Sequence, residues 1–146
     1  MNISYLLVFF QFFSLSLLFI PKSVATCLLL STISLLCLTL SLALLVWTSK
    51  HNKVGNFNII PDIKENAKLI KTGPYSYIRH PMYTSVVLIG LSALVYNFTY
   101  IKILIFVFLI VVLVLKAKRE ESFWCEENEG YKDYILNTKM FIPFVL

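Results

Sequence analysis

The sequence predicts an all-α, multi-pass membrane protein of about four transmembrane helices, joined to a cytoplasmic loop and a C-terminal helix. Three observations carry that expectation. Hydrophobic residues make up 58% of the 146 and charged residues only 14%, where a soluble domain carries roughly 25% charge. Mean hydropathy is +0.78. The apolar residues also gather into four runs, and the charges are confined to the segments between and after them.

The first run, residues 3–20, is broken only by Gln11, Tyr5 and serines; its 18 residues cover about 27 Å at ~1.5 Å per residue. Pro21-Lys22 ends it. A cleaved signal peptide is the competing reading, because Ser23-Val24-Ala25 loosely fits a cleavage site. No positive charge precedes the run and Lys22 follows it, so retention is expected. The second run, residues 24–47, is free of charge and ends on Trp47, a residue suited to the membrane interface. The third, residues 82–96, holds Ser85, Gly90, Ser92 and Ala93, small enough to let a neighbouring helix approach closely. The fourth, residues 103–115, has no polar residue, and Lys102 can snorkel at its start. The last two runs are short for spans, which implies tilt or local bilayer thinning. The chain thus divides into two N-terminal helices, residues 1–48, and a second region, residues 49–146, of loop, hairpin and C-terminal helix.

Charge placement sets an expected topology. Residues 49–81 hold six of the 13 Lys and Arg, and residues 116–146 hold five; only Lys22 and Lys102 fall in the short turns. The long loop, the tail and the N-terminus are therefore expected on the cytoplasmic side. All eight acidic residues lie in that loop or tail, so polar chemistry is confined to one face. The net charge of +5 fits a basic face against anionic headgroups, and no nucleic-acid partner is expected. Cys27, Cys37 and Cys125 form no CxxC or Cys/His cluster, so neither a disulfide framework nor a metal site is expected.

Two clusters carry candidate chemistry. The loop ends in Thr72-Gly73-Pro74-Tyr75-Ser76-Tyr77-Ile78-Arg79-His80-Pro81-Met82-Tyr83. Gly73-Pro74 reads as a turn, His80 is pushed toward an extended conformation by the proline after it, and Pro81 suits the first position of a helix. Arg79 and His80 then stand at a helix N-terminus on the membrane surface, where free N–H groups and a planar guanidinium can hold a carboxylate or phosphate. The plainer reading is a phospholipid-anchoring belt of Tyr75, Tyr77 and Tyr83. The second cluster, Lys118-Arg119-Glu120-Glu121, follows the fourth run on a helix with no breaker through Glu127. Glu126, Glu127 and Glu129 read as a solvated face. Glu120 and Glu121 lie at headgroup depth, where a carboxylate needs a partner; Arg79 is the protein candidate, and vicinal hydroxyls are a ligand candidate.

Phe57-Asn58, Pro61-Asp62, Leu69-Ile70 and Gly73-Pro74-Tyr75 leading to Arg79-His80-Pro81-Met82-Tyr83 resemble the isoprenylcysteine carboxyl methyltransferase family. So do Arg119-Glu120-Glu121, Tyr131, Tyr134, Phe141 and Pro143, and the phospholipid methyltransferases share the organisation. The resemblance spans residues 56–143. The chain departs from the family's pattern at Asn128-Glu129-Gly130, which leaves the choice between Glu120 and Glu121 open.

The resemblance implies a membrane methyltransferase that uses S-adenosylmethionine, with residues 49–146 as its catalytic region and a lipidic or prenylated acceptor entering from the bilayer. It implies catalytic roles for Arg79, His80 and Glu121, and cofactor contacts from Tyr75, Arg79, His80, Pro81, Tyr83, Glu120 and Glu121. Arg79 would hold a carboxylate of cofactor or acceptor, and Glu121 with Glu120 would hold ribose hydroxyls or the adenine amine. The host membrane would be a bacterial inner membrane or the endoplasmic reticulum, with the site facing the cytoplasm. No glycine-rich nucleotide loop of the soluble type is present. The alternatives are a small four-span transporter and a non-enzymatic membrane protein; the absence of Asp and Glu from all four runs counts against a proton-coupled transporter.

Overall fold

The computed structural model describes residues 3–21, 28–52, 60 and 68–143. Residues 24–27 of the second run, Lys22, Lys53, Lys64, and the Phe57-Asn58 and Pro61-Asp62 elements of the resemblance lie outside the described residues. Among the described residues the chain is all-helical. The helices are α1 (Ile3–Phe19), α2 (Leu28–His51), α3 (Pro81–Tyr96), α4 (Tyr100–Glu127) and α5 (Tyr131–Asn137), with a 3-10 turn at Gly73–Ser76.

Helix α2, at 24 residues, and α4, at 28, are long and apolar enough to cross a membrane, whereas α1 and α3 are shorter apolar helices. The fourth run was expected to be short, but it is only the middle of α4. Thr99 caps that helix by accepting from the Lys102 backbone N–H, and nothing breaks it before Asn128. Pro81 occupies the first turn of α3, as its missing N–H favours.

The helices are inverted relative to those of a water-soluble protein. On α2 the buried residues are Ser34, Ser41 and Thr48, while Leu29, Leu36, Leu40 and Leu42 face outward. On α1 the buried positions include Ser4, Gln11 and Ser14, and Phe9, Phe12 and Phe13 are exposed. Leucines outside and hydroxyls inside suit a hydrocarbon solvent, in which small and polar residues mark helix contacts.

Two antiparallel pairs result. In α2/α3, Ser34 and Ser92 each donate to the other's carbonyl at 2.9 Å, and Ser41 donates to the Ser85 carbonyl at 2.9 Å. The seven-residue spacing of these serines keeps one stripe of each helix on the seam. In α1/α4 the cations of α4 reach the buried stripe of α1. Lys102 Nζ donates to the Leu18 and Ile20 carbonyls at 2.8 Å, Lys116 Nζ to Gln11 Oε1, and Arg119 Nε to Ser4 Oγ at 2.9 Å. The pairs meet over Leu18, Ala93, Leu109, Leu113, Ala117 and Phe141. Gly90 lets α3 close on α4: a Cβ there would stand 2.9 Å from Leu109 and 3.1 Å from Phe106. Gly90→Val should therefore lower stability by about 1–3 kcal/mol through overpacking, read as an earlier thermal unfolding of the detergent-purified protein, while Ser85→Ala should leave the α3/α4 contact intact.

Candidate active site

The loop that leads into α3 is fixed from both sides. At its start Gly73 adopts φ +63° beneath the His51 ring, where a Cβ would stand 2.5 Å from ring carbons; both conditions demand glycine. At its end the chain pairs with the C-terminal segment. Lys139 N–H donates to the Tyr77 carbonyl at 3.2 Å, Arg79 N–H to the Lys139 carbonyl at 2.8 Å, and His80 N–H to the Met140 carbonyl at 3.1 Å. Thr84 Oγ1 adds a bond to the Phe141 carbonyl at 2.9 Å.

Arg79 and His80 converge on one carboxylate oxygen. Arg79 Nε donates to Glu121 Oε1 at 2.6 Å, and His80 Nε2 lies 3.0 Å from the same atom. Arg79 Nη1 donates to the carbonyls of Ile135 and Thr138, which ties the end of α5 to the corner. The Arg79 and Glu121 side chains are 8% and 12% exposed, so the pair is shielded from water. Burial pushes the Glu121 carboxyl up, but the hydrogen bonds from His80 and Arg79, with the Arg79 charge, outweigh it and hold the group below its ordinary value. An ionised carboxylate only accepts, so His80 donates from Nε2, and in the neutral ring Nδ1 is left with a lone pair.

Glu120 points elsewhere. Its Oε2 accepts from the Tyr83 hydroxyl at 3.1 Å and lies 3.7 Å from His80 Nδ1, beyond hydrogen-bond range. The Tyr83 ring stacks on His80, with centroids 5.3 Å apart and planes within 7°.

A cleft opens beside this corner, lined by Tyr75, Arg79, His80, Glu120, Trp124, Tyr131 and Tyr134 together with Asn52 and 68–70. Trp124 and Tyr131 stack with centroids 6.0 Å apart, and Tyr134 meets Tyr131 edge-on. The Tyr134 hydroxyl donates to the Tyr75 carbonyl. Burial, then the nearby carboxylates, raise Tyr75 and Tyr131; burial is also the main cause that pushes Tyr134 up to about 12. The phenols are thus neutral near pH 7, and their rings stay intact as binding faces.

Of the residues expected from sequence, Tyr75, Arg79, His80 and Glu120 line the cleft. Tyr83 and Glu121 stand behind it, and Pro81 is buried in the first turn of α3. Trp124, one helical turn beyond Glu120, was not anticipated; the four-residue spacing on one unbroken helix was the available signal. Tyr131 and Tyr134 entered the resemblance without a role and now wall the cleft. Glu126, Glu127 and Glu129 are exposed, as expected for a solvated face. A larger space lies at the far ends of α1, α2 and α3, and among the described residues its lining holds no charged side chain.

Residues 35–126 match the family described as isoprenylcysteine carboxyl methyltransferase (ICMT). This chain belongs to that family. No curated protein matches the chain. ICMT membership makes it a membrane methyltransferase by kinship, and the matched stretch contains both Arg79-His80 and Glu120-Glu121. Helix α1, α5 and the walls Tyr131 and Tyr134 lie outside that stretch.

Removing Glu121 strands a buried guanidinium, so Glu121→Ala should cost about 3 kcal/mol or more in unfolding free energy. Because the carboxyl sits below its ordinary value of 4.5, its contribution is complete above that pH and is lost as the pH falls below it. The stability gap between wild type and Glu121→Gln should be constant from neutrality down to about pH 4.5 and should narrow on further acidification; denaturant titrations across that range check it.

Proposed function

We propose that this ICMT-family chain transfers a methyl group from S-adenosylmethionine to a hydrophobic acceptor, within the cleft of Arg79, His80 and Glu120. The observation that carries the reading is convergence: two motifs some forty residues apart meet at Glu121 and leave a carboxylate, a guanidinium, an imidazole and four aromatic rings around one cleft.

That set suits the cofactor group by group. Glu120 can accept from a ribose diol or an ammonium. The faces of Trp124, Tyr131 and Tyr75 suit a planar purine, and neutral rings also attract a cation such as a sulfonium. Arg79 commits Nε and Nη1 to the protein, so a carboxylate of cofactor or acceptor would meet Nη2. Bound there, S-adenosylmethionine would supply an electrophilic methyl group on a positively charged sulfur.

Transfer to a carboxylate quenches that charge, and transfer to an amine passes it to the new ammonium and then, with the proton, to a base; in neither case does the net charge grow. The protein's work is to hold the reacting atoms in line and to keep water out. Glu121 fixes Arg79 and His80, and the C-terminal segment holds their backbone. His80 Nδ1 offers a lone pair that can take the proton of an amine acceptor; a carboxylate acceptor is ionised near pH 7 and needs no base. The acceptor reading remains a lipidic group, with the carboxylate of a prenylated cysteine as its family form.

We also read α1 to α4 as four spans, with the cleft on the cytoplasmic side. The cationic loop and tail and the inverted helices support this. A cysteine introduced at Asn66, with Cys27, Cys37 and Cys125 changed to Ser, should react only with reagent on the cytoplasmic side; reaction from outside would reverse the orientation.

Detergent-purified protein should bind S-adenosylhomocysteine saturably, and Arg79→Ala and Glu120→Ala should each weaken binding at least tenfold, as expected for lost hydrogen bonds to charged groups. Labelled cofactor incubated with a lipid extract should yield a methylated product identifiable by mass. Wild-type protein that shows no saturable binding at millimolar ligand would refute the reading.

A further inference from the structure

We propose that Lys116 is a positioning residue of this site, aimed by Gln11 of α1 and acting through Tyr83 on Glu120. The role given to Glu120 rests on the cofactor reading above.

Lys116 is 1% exposed and lies on α4 at the end of an apolar stretch. An ammonium at that depth is costly, and such residues mark function more often than packing. Its Nζ donates to Gln11 Oε1 and stands 5.1 Å from the centroid of the Tyr83 ring. The Tyr83 hydroxyl donates to Glu120 Oε2 at 3.1 Å, and Glu120 lines the cleft. Lys116 and Glu120 are also four residues apart, so they share a face of the helix.

A continuous chain of contacts therefore runs from Gln11, through a buried cation and a phenol ring, to the carboxylate at the ligand. The same ring stacks on His80, so its placement bears on two of the ionisable groups that face the cleft, His80 and Glu120. The other cations that α4 directs at α1 differ. Lys102 is held by carbonyls at the far end of the bundle, and Arg119 bonds Ser4 and lies over the Phe123 ring at 5.1 Å. Lys116 lies over a ring whose hydroxyl is bonded to a residue of the cleft. Gln11 lies outside the family-matched residues, so the chain's own first helix tunes a site built from the matched ones.

Two measurements on the full-length, detergent-purified protein test this. In equilibrium binding of S-adenosylhomocysteine, Lys116→Met should weaken affinity about tenfold, the scale of a hydrogen bond involving a charged group. Lys116→Arg should recover most of the loss, and Gln11→Leu should show a smaller loss and serve if Lys116→Met does not fold. Tyr83→Phe should match Lys116→Met, and combining the two should add nothing, because one pathway is cut twice. Losses that multiply would overturn the proposal.

The second measurement needs no ligand. Carbodiimide labelling read by mass spectrometry should rise several-fold at Glu120 in Gln11→Leu and Tyr83→Phe, on the same hydrogen-bond scale, while Glu121, clamped by Arg79, stays constant. Unchanged Glu120 labelling overturns the proposal even if the wild type binds the cofactor. Wild type that fails to bind, with labelling that rises as stated, would refute the cofactor reading and uphold the Lys116 link.

Discussion

One carboxylate oxygen, Glu121 Oε1, receives both the Arg79 guanidinium and the His80 imidazole, and the rest of the site is arranged around that junction. The pair is shielded from water, so each charge depends on the other for the solvation it has lost. Arg79 then extends the constraint with its second nitrogen, which fastens the carbonyls of Ile135 and Thr138. The backbone bonds from Arg79 and His80 to 139–140 complete the lock. The loop before α3, the end of α4 and the C-terminal segment become one body, although they are far apart in sequence.

The bilayer explains why the supporting helices look as they do. Where the surroundings are as apolar as leucine, burying leucine gains little, and helix pairs must be specified by close approach and internal hydrogen bonds. The two pairs use different means. The α2/α3 seam relies on short hydroxyls, which let the backbones approach and bond across the gap. The α1/α4 seam relies on long cations that reach across to a glutamine, a serine and free carbonyls. The first gives closeness, the second gives reach. The site lies at the end of the molecule where the pairs meet, so each pair contributes one half of its charged groups.

Much of this was legible from residues alone. Apolar stretches located the helices, Pro81 located the start of α3, and the family resemblance singled out Arg79-His80 and Glu120-Glu121, which the structure brings together. The reach of α4 was legible too, because nothing between Lys116 and Glu127 breaks a helix even though the apolar run stops at Leu115. Two features were not legible. Gln11 looked like a blemish in an apolar run, since its partner lies more than a hundred residues away. Trp124 carried no expectation and Tyr131 and Tyr134 entered the resemblance without a role; the cleft they line with Arg79 appears only in the folded chain.

The sequence also left open the choice between Glu120 and Glu121, and on the helix the two turn different ways. Consecutive residues on an α-helix point about 100° apart, so an adjacent acidic pair cannot present both carboxylates to one small molecule while both remain paired with the same cation. One has to turn inward. Glu121 does, and the hydrogen bonds from Arg79 and His80 hold it ionised against the pull of burial. Glu120, a third exposed, takes a hydrogen bond on Oε2 from the Tyr83 hydroxyl and has acceptor capacity to spare. The doublet is therefore divided: Glu121 builds the corner with Arg79 and His80, and Glu120 is the member that lines the cleft.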